Sequence, residues 1–213
     1  MRLCVFGGTG KTGSNVIRVA KSKGYDVVAL ARRPEVLGQM FPDIQVIPGD
    51  VFKPDTIKAA LTESDAVIST LGPVGRARKT TIFSEGVVNI ARVMRELGKR
   101  RLIVVGSLLG IDPHPDASWY VSLLARLFLK PILGYQYRDT AKMMEILTHL
   151  EGLDWTLVGL PRLTDAKATG HFRGSVGVPL HHPSAISRAD LAAYLVSIID
   201  QPATNKQWTE VSW

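Results

Sequence analysis

The sequence contains a single cysteine, Cys4, among its 213 residues. One thiol cannot form an intramolecular disulfide, which is typical of proteins from a reducing compartment. The sequence also lacks the uncharged apolar run of roughly 18 residues that a membrane-spanning helix requires. The residues after Met1 lead directly into a glycine cluster, without an apolar leader segment, so no signal peptide is expected. These absences together predict a cytoplasmic protein without a transmembrane segment.

Metal ions and nucleic acids are both disfavoured as partners. The five histidines show no metal-ligand spacing, and the adjacent His181 and His182 would point in different directions in an extended chain. The net charge is +7, but the densest basic run, at 99–101, has no interleaved aromatic residues. That run therefore suits the negative end of a helix dipole better than a nucleic acid. The positive balance still favours small anionic ligands.

Short apolar runs alternate with amphipathic segments through the first half of the chain. This alternation predicts a parallel sheet flanked by helices, and the length fits one domain over residues 1–213. The predicted fold is α/β, a Rossmann-type doubly wound parallel sheet with a small irregular C-terminal region. The predicted strands are 2–6, 26–31, 44–47, 66–69, 102–105 and 155–158. The predicted helices are 12–23, 54–61, 80–97, 119–129, 137–150 and 187–199.

The alternation stops after residue 107. Segments 110–137 and 165–185 are expected to be insertions that form a substrate pocket. Within the first of these, 119–129 is apolar on nearly every side of its predicted helix, so it must be covered. It could roof the pocket or form a homodimer contact, and its flanking Trp119 and Tyr120 leave a membrane-surface helix as a third interpretation.

Three glycines stand between the first predicted strand and the first predicted helix. Gly7, Gly10 and Gly13 have the spacing G-x-x-G-x-x-G. A tight strand-to-helix turn needs residues without a Cβ, and a pyrophosphate needs close access to backbone N–H groups. A purely structural turn is the alternative interpretation. The P-loop pattern of ATPases is absent, so the loop favours a dinucleotide.

The end of the second predicted strand indicates which dinucleotide would bind. NAD-binding folds place an Asp or Glu there to hold the ribose 2′-hydroxyl. Here the strand is followed by Arg32 and Arg33 instead. Two guanidinium groups suit a 2′-phosphate in geometry and charge, so NADP(H) is predicted as the cofactor.

These motifs, taken in order, resemble the atypical short-chain dehydrogenases. The similarity is greatest to the NAD(P)H-binding flavin reductase and biliverdin-IXβ reductase group and its NmrA-like relatives. It extends over essentially the whole chain, and the glycine loop is its most specific part. The segments that carry the resemblance are 7–13, 32–33, 49–51, 70–72, 106–107, 152–158 and 186–192.

The resemblance implies roles for the matching positions. It implies that the loop surrounds the pyrophosphate through Gly7, Thr9, Gly10, Lys11, Thr12 and Gly13. It also implies that Arg32 and Arg33 contact the 2′-phosphate and that Asp50 and Val51 contact the adenine. Thr70, Leu71 and Gly72 would line the ribose and nicotinamide. Ser107 would lie at the nicotinamide, and Pro161 and Leu163 would close over it. Ser107 is also the candidate catalytic residue, since its hydroxyl could orient the nicotinamide amide or a substrate carbonyl. Alternatively, it is only a small residue at a crowded strand end.

The sequence departs from the usual proton-transfer pair of short-chain dehydrogenases. That pair has the pattern Tyr-x-x-x-Lys, whereas Lys142 has Arg138 four residues before it and Tyr137 five before it. Glu145 also replaces a histidine that lies near the tetrapyrrole in biliverdin-IXβ reductase. The expected function is therefore hydride transfer from NADPH to a planar acceptor, such as a flavin or quinone. The alternatives are an NmrA-like NADP(H)-binding redox sensor and an NAD-dependent isomerase or epimerase.

Overall fold

The computed structural model describes residues 1–73, 81–106 and 130–213. An eight-stranded sheet runs through these residues in the order β3-β2-β1-β4-β5-β6-β10-β8, and β7 pairs with β9 separately. The strands are β1 (Arg2–Phe6), β2 (Asp26–Ala31), β3 (Gln45–Pro48), β4 (Ala66–Ser69), β5 (Arg101–Gly106), β6 (Asp154–Gly159), β7 (Arg162–Thr164), β8 (Arg173–Val176), β9 (Ala185–Ser187) and β10 (Gln207–Ser212).

The strand order is that of a doubly wound fold, in which the chain starts at the centre of the sheet and winds outward in both directions. Seven neighbouring strands are parallel, and Cys4 of β1 pairs with Val28 of β2 and Val67 of β4. The prediction of a Rossmann-type α/β sheet is confirmed. At one edge of the otherwise parallel sheet, β8 lies antiparallel to β10.

Six α-helices are described. They are α1 (Lys11–Ser22), α2 (Pro34–Met40), α3 (Pro54–Leu61), α4 (Val88–Glu96), α5 (Lys130–His149) and α6 (Arg188–Ser197). A π-helical segment, Ile82–Val87, leads into α4, so the helix expected over 80–97 is a π-helix followed by an α-helix. Helix α2 was not predicted, because Leu37 is its only buried residue and gives no apolar periodicity.

Both faces of the sheet are covered, as a parallel sheet requires. In β1, Leu3 and Val5 enter one core together with residues of α1 and α6. Cys4 and Phe6 of the same strand enter the other core, which α3, α4 and α5 complete. Burial raises the pKa of the Cys4 thiol, so this residue is an apolar component of the second core at neutral pH.

Arg101 links several chain segments at the end of the sheet where the parallel strands begin. Its half-buried guanidinium donates to the carbonyls of Ile198 and Ile199 and to the hydroxyl of Thr156 at 2.8 Å. The Thr156 hydroxyl in turn donates to the carbonyl of Thr204. Burial lowers the pKa of Arg101 to about 10, despite the nearby carboxylates. Arg101 therefore remains charged at neutral pH, and this cluster lies at the end of the sheet opposite the strand carboxyl termini.

A second polar cluster joins α6 to the segment before β8. The Asp190 carboxylate accepts hydrogen bonds from the backbone N–H groups of Thr169 and Gly170, at 3.0 Å and 2.9 Å. It also accepts from the Trp213 indole and the Ser187 hydroxyl, both at 2.9 Å. The Ser187 hydroxyl accepts from the Asp190 N–H, which is the N-cap interaction expected for this helix.

The two segments that break the strand–helix alternation are described only in part. Segment 165–185 is mostly irregular, as expected, but it contains β8 and reaches the start of β9. Residues 130–137 of the other segment begin α5, which starts earlier than predicted. Ser107 and the apolar segment 119–129 lie outside the described residues. No helix in the described ranges is both long and apolar enough to cross a membrane.

Candidate functional site

The glycine loop connects β1 to α1 by a turn that side chains would block. Gly7 has φ +83°, and a Cβ on it would lie 2.9 Å from the carbonyl carbon and oxygen of Thr70. A Cβ on Gly13 would lie 2.2 Å from the Gly7 carbonyl oxygen, which itself accepts from the Gly10 N–H at 2.9 Å. The glycines at these positions therefore follow from close packing of the loop on itself and on Thr70.

The loop presents the amino terminus of α1. Gly10 is the N-cap residue, no side chain caps this helix, and its first turn contains no acidic residue. The amino terminus of a helix carries a partial positive charge and backbone N–H groups that attract anions. This end of α1 has the geometry and the charge of a phosphate-binding site.

A cleft opens beside this loop at the carboxyl ends of the central strands. It lies where the chain reverses direction across the sheet, which is where doubly wound folds bind ligands. Loop residues after β1, β2, β3 and β4 form its walls, together with Ile82 of the π-helix. The lining residues are Gly7, Thr9, Gly10, Leu30, Ala31, Arg32, Gly49, Asp50, Val51, Phe52, Thr70, Leu71, Gly72 and Ile82.

The two arginines after β2 differ in position. Arg32 lines the cleft, whereas Arg33 is the N-cap residue of α2 and does not line it. Both side chains are exposed. Where β2 ends, the cleft wall therefore carries the guanidinium of Arg32, and the residues that directly follow β2 add no carboxylate to it.

The turn after β3 is held by local hydrogen bonds. The Asp50 carboxylate accepts from the Phe52 N–H at 3.1 Å, and the Thr56 hydroxyl accepts from the Asp50 N–H. Phe52 is 44% exposed and lines the cleft. Sequence reasoning did not select it, although an aromatic residue directly after Asp50 and Val51 was a usable signal.

The carboxyl end of β4 contributes the opposite wall. The Thr70 hydroxyl donates to the Phe6 carbonyl at 3.0 Å, and the Thr70 N–H donates to the same carbonyl at 2.9 Å. These bonds fix the chain as it leaves the sheet, and Leu71 and Gly72 follow along the cleft. Ile82 was also not predicted as a site residue, because its position depends on packing of the π-helix; the other lining residues outside the prediction are Leu30, Ala31 and Gly49.

Several predicted cofactor residues do not line the cleft in this structure. Lys11 forms an ion pair with Asp165, with 2.5 Å between Nζ and Oδ2, and Asp165 also pairs with Arg188 at 2.6 Å. The hydrogen bond from Lys11 lowers the pKa of Asp165. Thr12 and Gly13 belong to the first turn of α1, Pro161 directly precedes β7, and Leu163 lies within β7. For these residues and for Ser107, a role at the cofactor stays a prediction.

The residues that line the cleft fit a nicotinamide dinucleotide. Side-chain-free backbone at Gly7 and Gly10 and the α1 amino terminus suit a pyrophosphate. The apolar Val51 and Phe52 suit a planar base, and Arg32 offers a cation beside it. No group of three or more His, Cys, Asp or Glu side chains in the described ranges could hold a metal ion. Fold and cleft together define a dinucleotide-binding protein of the Rossmann class.

The comparison with protein families gives the same class. Residues 7–202 match the model of the NAD(P)H-binding family, so this chain belongs to that family and binds a nicotinamide cofactor. YwnB of Bacillus subtilis (strain 168) is 24% identical, with 100% of this chain and 99% of YwnB covered. The resemblance to the atypical short-chain dehydrogenases is confirmed at this level.

Solved structures share the fold over the full length of the chain. ChuY from Escherichia coli O157:H7, described as an anaerobilin reductase, has a TM-score of 0.79 and 24% identity. The comparison covers 100% of this chain and 97% of ChuY. A short-chain dehydrogenase/reductase from Veillonella parvula in complex with NADP has a TM-score of 0.79 and 12% identity, with 100% and 94% covered. At these identities the similarity establishes the fold.

Proposed function

We propose that this protein is an NADPH-dependent reductase that delivers hydride to a planar acceptor such as a flavin or quinone. The observation that carries the proposal is the cleft beside the glycine loop, whose wall at β2 holds Arg32 and no carboxylate. A guanidinium can bind a 2′-phosphate through two parallel hydrogen bonds. A carboxylate at that position would repel the 2′-phosphate, so the wall favours NADPH over NADH.

The described residues supply binding and orientation. The α1 amino terminus and the backbone at Gly10 bind the pyrophosphate, and the turn at Asp50 and Val51 receives the adenine. Thr70, Leu71 and Gly72 hold the ribose and nicotinamide side against the sheet. When bound, NADPH supplies the hydride, and the protein contributes mainly proximity and the exclusion of water.

The choice of acceptor rests on the sequence, in which no tyrosine is followed by a lysine four residues later. Lys142 is exposed on α5, and Arg138 four residues earlier is also exposed and lies over the Tyr135 ring at 4.7 Å. Reduction of a carbonyl needs a positioned acid, whereas a flavin or quinone accepts hydride directly and takes protons from solvent. That the similar fold of ChuY belongs to a protein described as a reductase is consistent with this proposal.

The missing Tyr-x-x-x-Lys pattern also supports a second candidate function. A protein that binds NADP(H) without catalysis, as an NmrA-like redox sensor, also needs no proton-transfer pair. Such a protein would bind NADP⁺ and NADPH with different affinities and would contact a partner. Turnover separates the two functions.

Steady-state NADPH oxidation tests the proposal. The nicotinamide absorbance is followed with FMN, riboflavin and a small benzoquinone as acceptors, and NADH is measured in parallel. We expect turnover with at least one acceptor and a preference for NADPH of about tenfold or more, since one charge-assisted contact contributes about 1.5–3 kcal/mol. Tight NADP(H) binding without turnover on any of these acceptors would favour the sensor. An equal response to NADH and NADPH would contradict the 2′-phosphate assignment.

A further inference from the structure

A buried carboxylate outside the cleft holds one of its walls. Asp139 of α5 is 6% exposed and accepts hydrogen bonds from the backbone N–H groups of Phe83 at 2.9 Å and Ser84 at 3.0 Å. These N–H groups belong to the first turn of the π-helix, where the helix itself provides no acceptors. Thr81 at the N-cap position gives no side-chain cap. Asp139 therefore caps this helix from a distant part of the chain.

The π-helix connects Asp139 to the adenine side of the cleft. Ile82, the residue before the capped N–H groups, lines the cleft. A Cβ on Gly86 would lie 3.0 Å from Cγ2 of Val51 and 3.3 Å from Cδ1 of Ile82. Asn89, in the first turn of α4, donates from its side-chain amide to the Val51 carbonyl at 3.1 Å. The helix is thus capped by Asp139 at its start and held against Val51 beyond its end.

Helix α5 can serve as a fixed support because it packs against the sheet at the next residue. A Cβ on Gly106, the last residue of β5, would lie 3.0 Å from Cγ2 of Thr140. Thr140 and Met143 are fully buried. The carboxylate of Asp139 is therefore carried by a well-packed segment, and the π-helix that it caps is a rare element frequently found at functional sites.

We propose that Asp139 is a positioning residue for the adenine-binding wall of the cofactor cleft. It fixes the π-helix so that Ile82 and Val51 both line the part of the cleft where the adenine would lie. This proposal rests on the proposed binding of NADP(H). Its consequence is that the loss of Asp139 weakens every ligand that contains the adenine half of the cofactor, whether or not it contains nicotinamide.

The test uses Asp139→Asn, which keeps the shape of the side chain but lets it accept only one of the two N–H groups. Thr156→Val is the matched control, because it also removes buried hydrogen bonds but lies at the opposite end of the sheet. The dissociation constants of NADPH and 2′,5′-ADP are measured by fluorescence titration and competition, well below the thermal midpoint of each variant. We expect both constants to rise about tenfold in Asp139→Asn. In Thr156→Val we expect a lower thermal midpoint and constants within about twofold of wild type.

A second pair of variants covers the case in which Asp139→Asn does not fold. Gly86→Ala introduces a Cβ against Val51, whereas Gly38→Ala introduces one into open space on α2. Gly86→Ala should weaken both ligands, and Gly38→Ala neither. Unchanged constants in Asp139→Asn or Gly86→Ala, or weakening of NADPH alone, would overturn the proposal. If the wild-type protein itself bound no NADPH, the proposed function would fail instead, so the two failures are distinguishable.

Discussion

Arg32 and Arg33 are adjacent in sequence, but the structure gives them different surroundings. Arg32 lines the cleft and Arg33 begins α2. We expect Arg32→Ala to weaken NADPH binding by about ten- to a hundredfold, because a charge-assisted contact to a phosphate contributes about 1.5–3 kcal/mol. NADH binding should change by less than about threefold, and Arg33→Ala should have the smaller effect on NADPH.

The measurement is a pair of fluorescence titrations, with NADPH and with NADH, for each single variant. Both side chains are exposed, so neither variant should lower the thermal midpoint. Equal losses for NADPH and NADH in Arg32→Ala would show that this arginine does not bind the 2′-phosphate. A larger NADPH loss in Arg33→Ala would give that role to Arg33.

The chemical character of the cleft was easier to predict from the sequence than the individual residues that line it. The absence of a carboxylate after β2 is visible in the residue types, and it limits the cofactor. Which arginine faces the cleft depends on where β2 ends and α2 begins, and Pro34 sets that boundary. Ile82 lines the cleft because its helix lies against Val51 at Gly86 and is capped by Asp139, and no local sequence pattern predicts either contact.

The glycine loop is an element whose geometry can be tested one residue at a time. A Cβ on Gly13 would lie 2.2 Å from the Gly7 carbonyl oxygen, a backbone atom that cannot move aside without disturbing β1. On Gly10 it would lie 3.2 Å from the same oxygen. We expect Gly13→Ala to lower the free energy of unfolding by about 1–3 kcal/mol and to reduce NADPH binding. Gly10→Ala should be milder in stability.

Urea unfolding and NADPH titration of both variants check this expectation. Gly38→Ala is the control, since a Cβ there meets nothing within 4 Å and should leave binding unchanged. Wild-type affinity in Gly13→Ala would mean that the loop relaxes more readily than its contacts indicate.

Strands were predictable from the sequence where their burial requires a continuous run of apolar residues. β1, β2 and β4 are buried runs followed by turn residues, and their predicted bounds agree with the structure. β10 has both exposed and buried positions, and β8 is exposed at the sheet edge, so neither produces an apolar run. The π-helix and α4 both have buried apolar residues, so the sequence predicts one continuous helix. The hydrogen bonds at the start of the π-helix involve Asp139, more than 50 residues later in the chain, and local sequence does not reveal them.

The hydrogen bonds of Asp190 should make the stability of the whole molecule sensitive to acid. Burial acts to raise the pKa of this carboxyl, but hydrogen bonds from Trp213, Thr169, Gly170 and Ser187 outweigh it and lower the pKa to about 2. The ordinary value in an unfolded chain is about 3.9, so the unfolded state binds the proton first as the pH falls. The ionised carboxylate therefore contributes stability above about pH 4, and this contribution is lost between about pH 4 and pH 2.

For a carboxylate with no exposed surface, this shift corresponds to about 2–3 kcal/mol of stability. Because Asp190 joins α6, the segment before β8 and Trp213, its protonation should loosen all three together. Urea unfolding of wild type and Asp190→Asn, followed by tryptophan fluorescence from pH 7 to pH 2.5, isolates this contribution from those of other carboxylates. We expect a stability gap that is constant from pH 7 to about pH 5 and narrows below about pH 4. A gap that stayed the same down to pH 2.5 would mean that Asp190 keeps its hydrogen bonds when protonated, and that the acid sensitivity of the fold lies elsewhere.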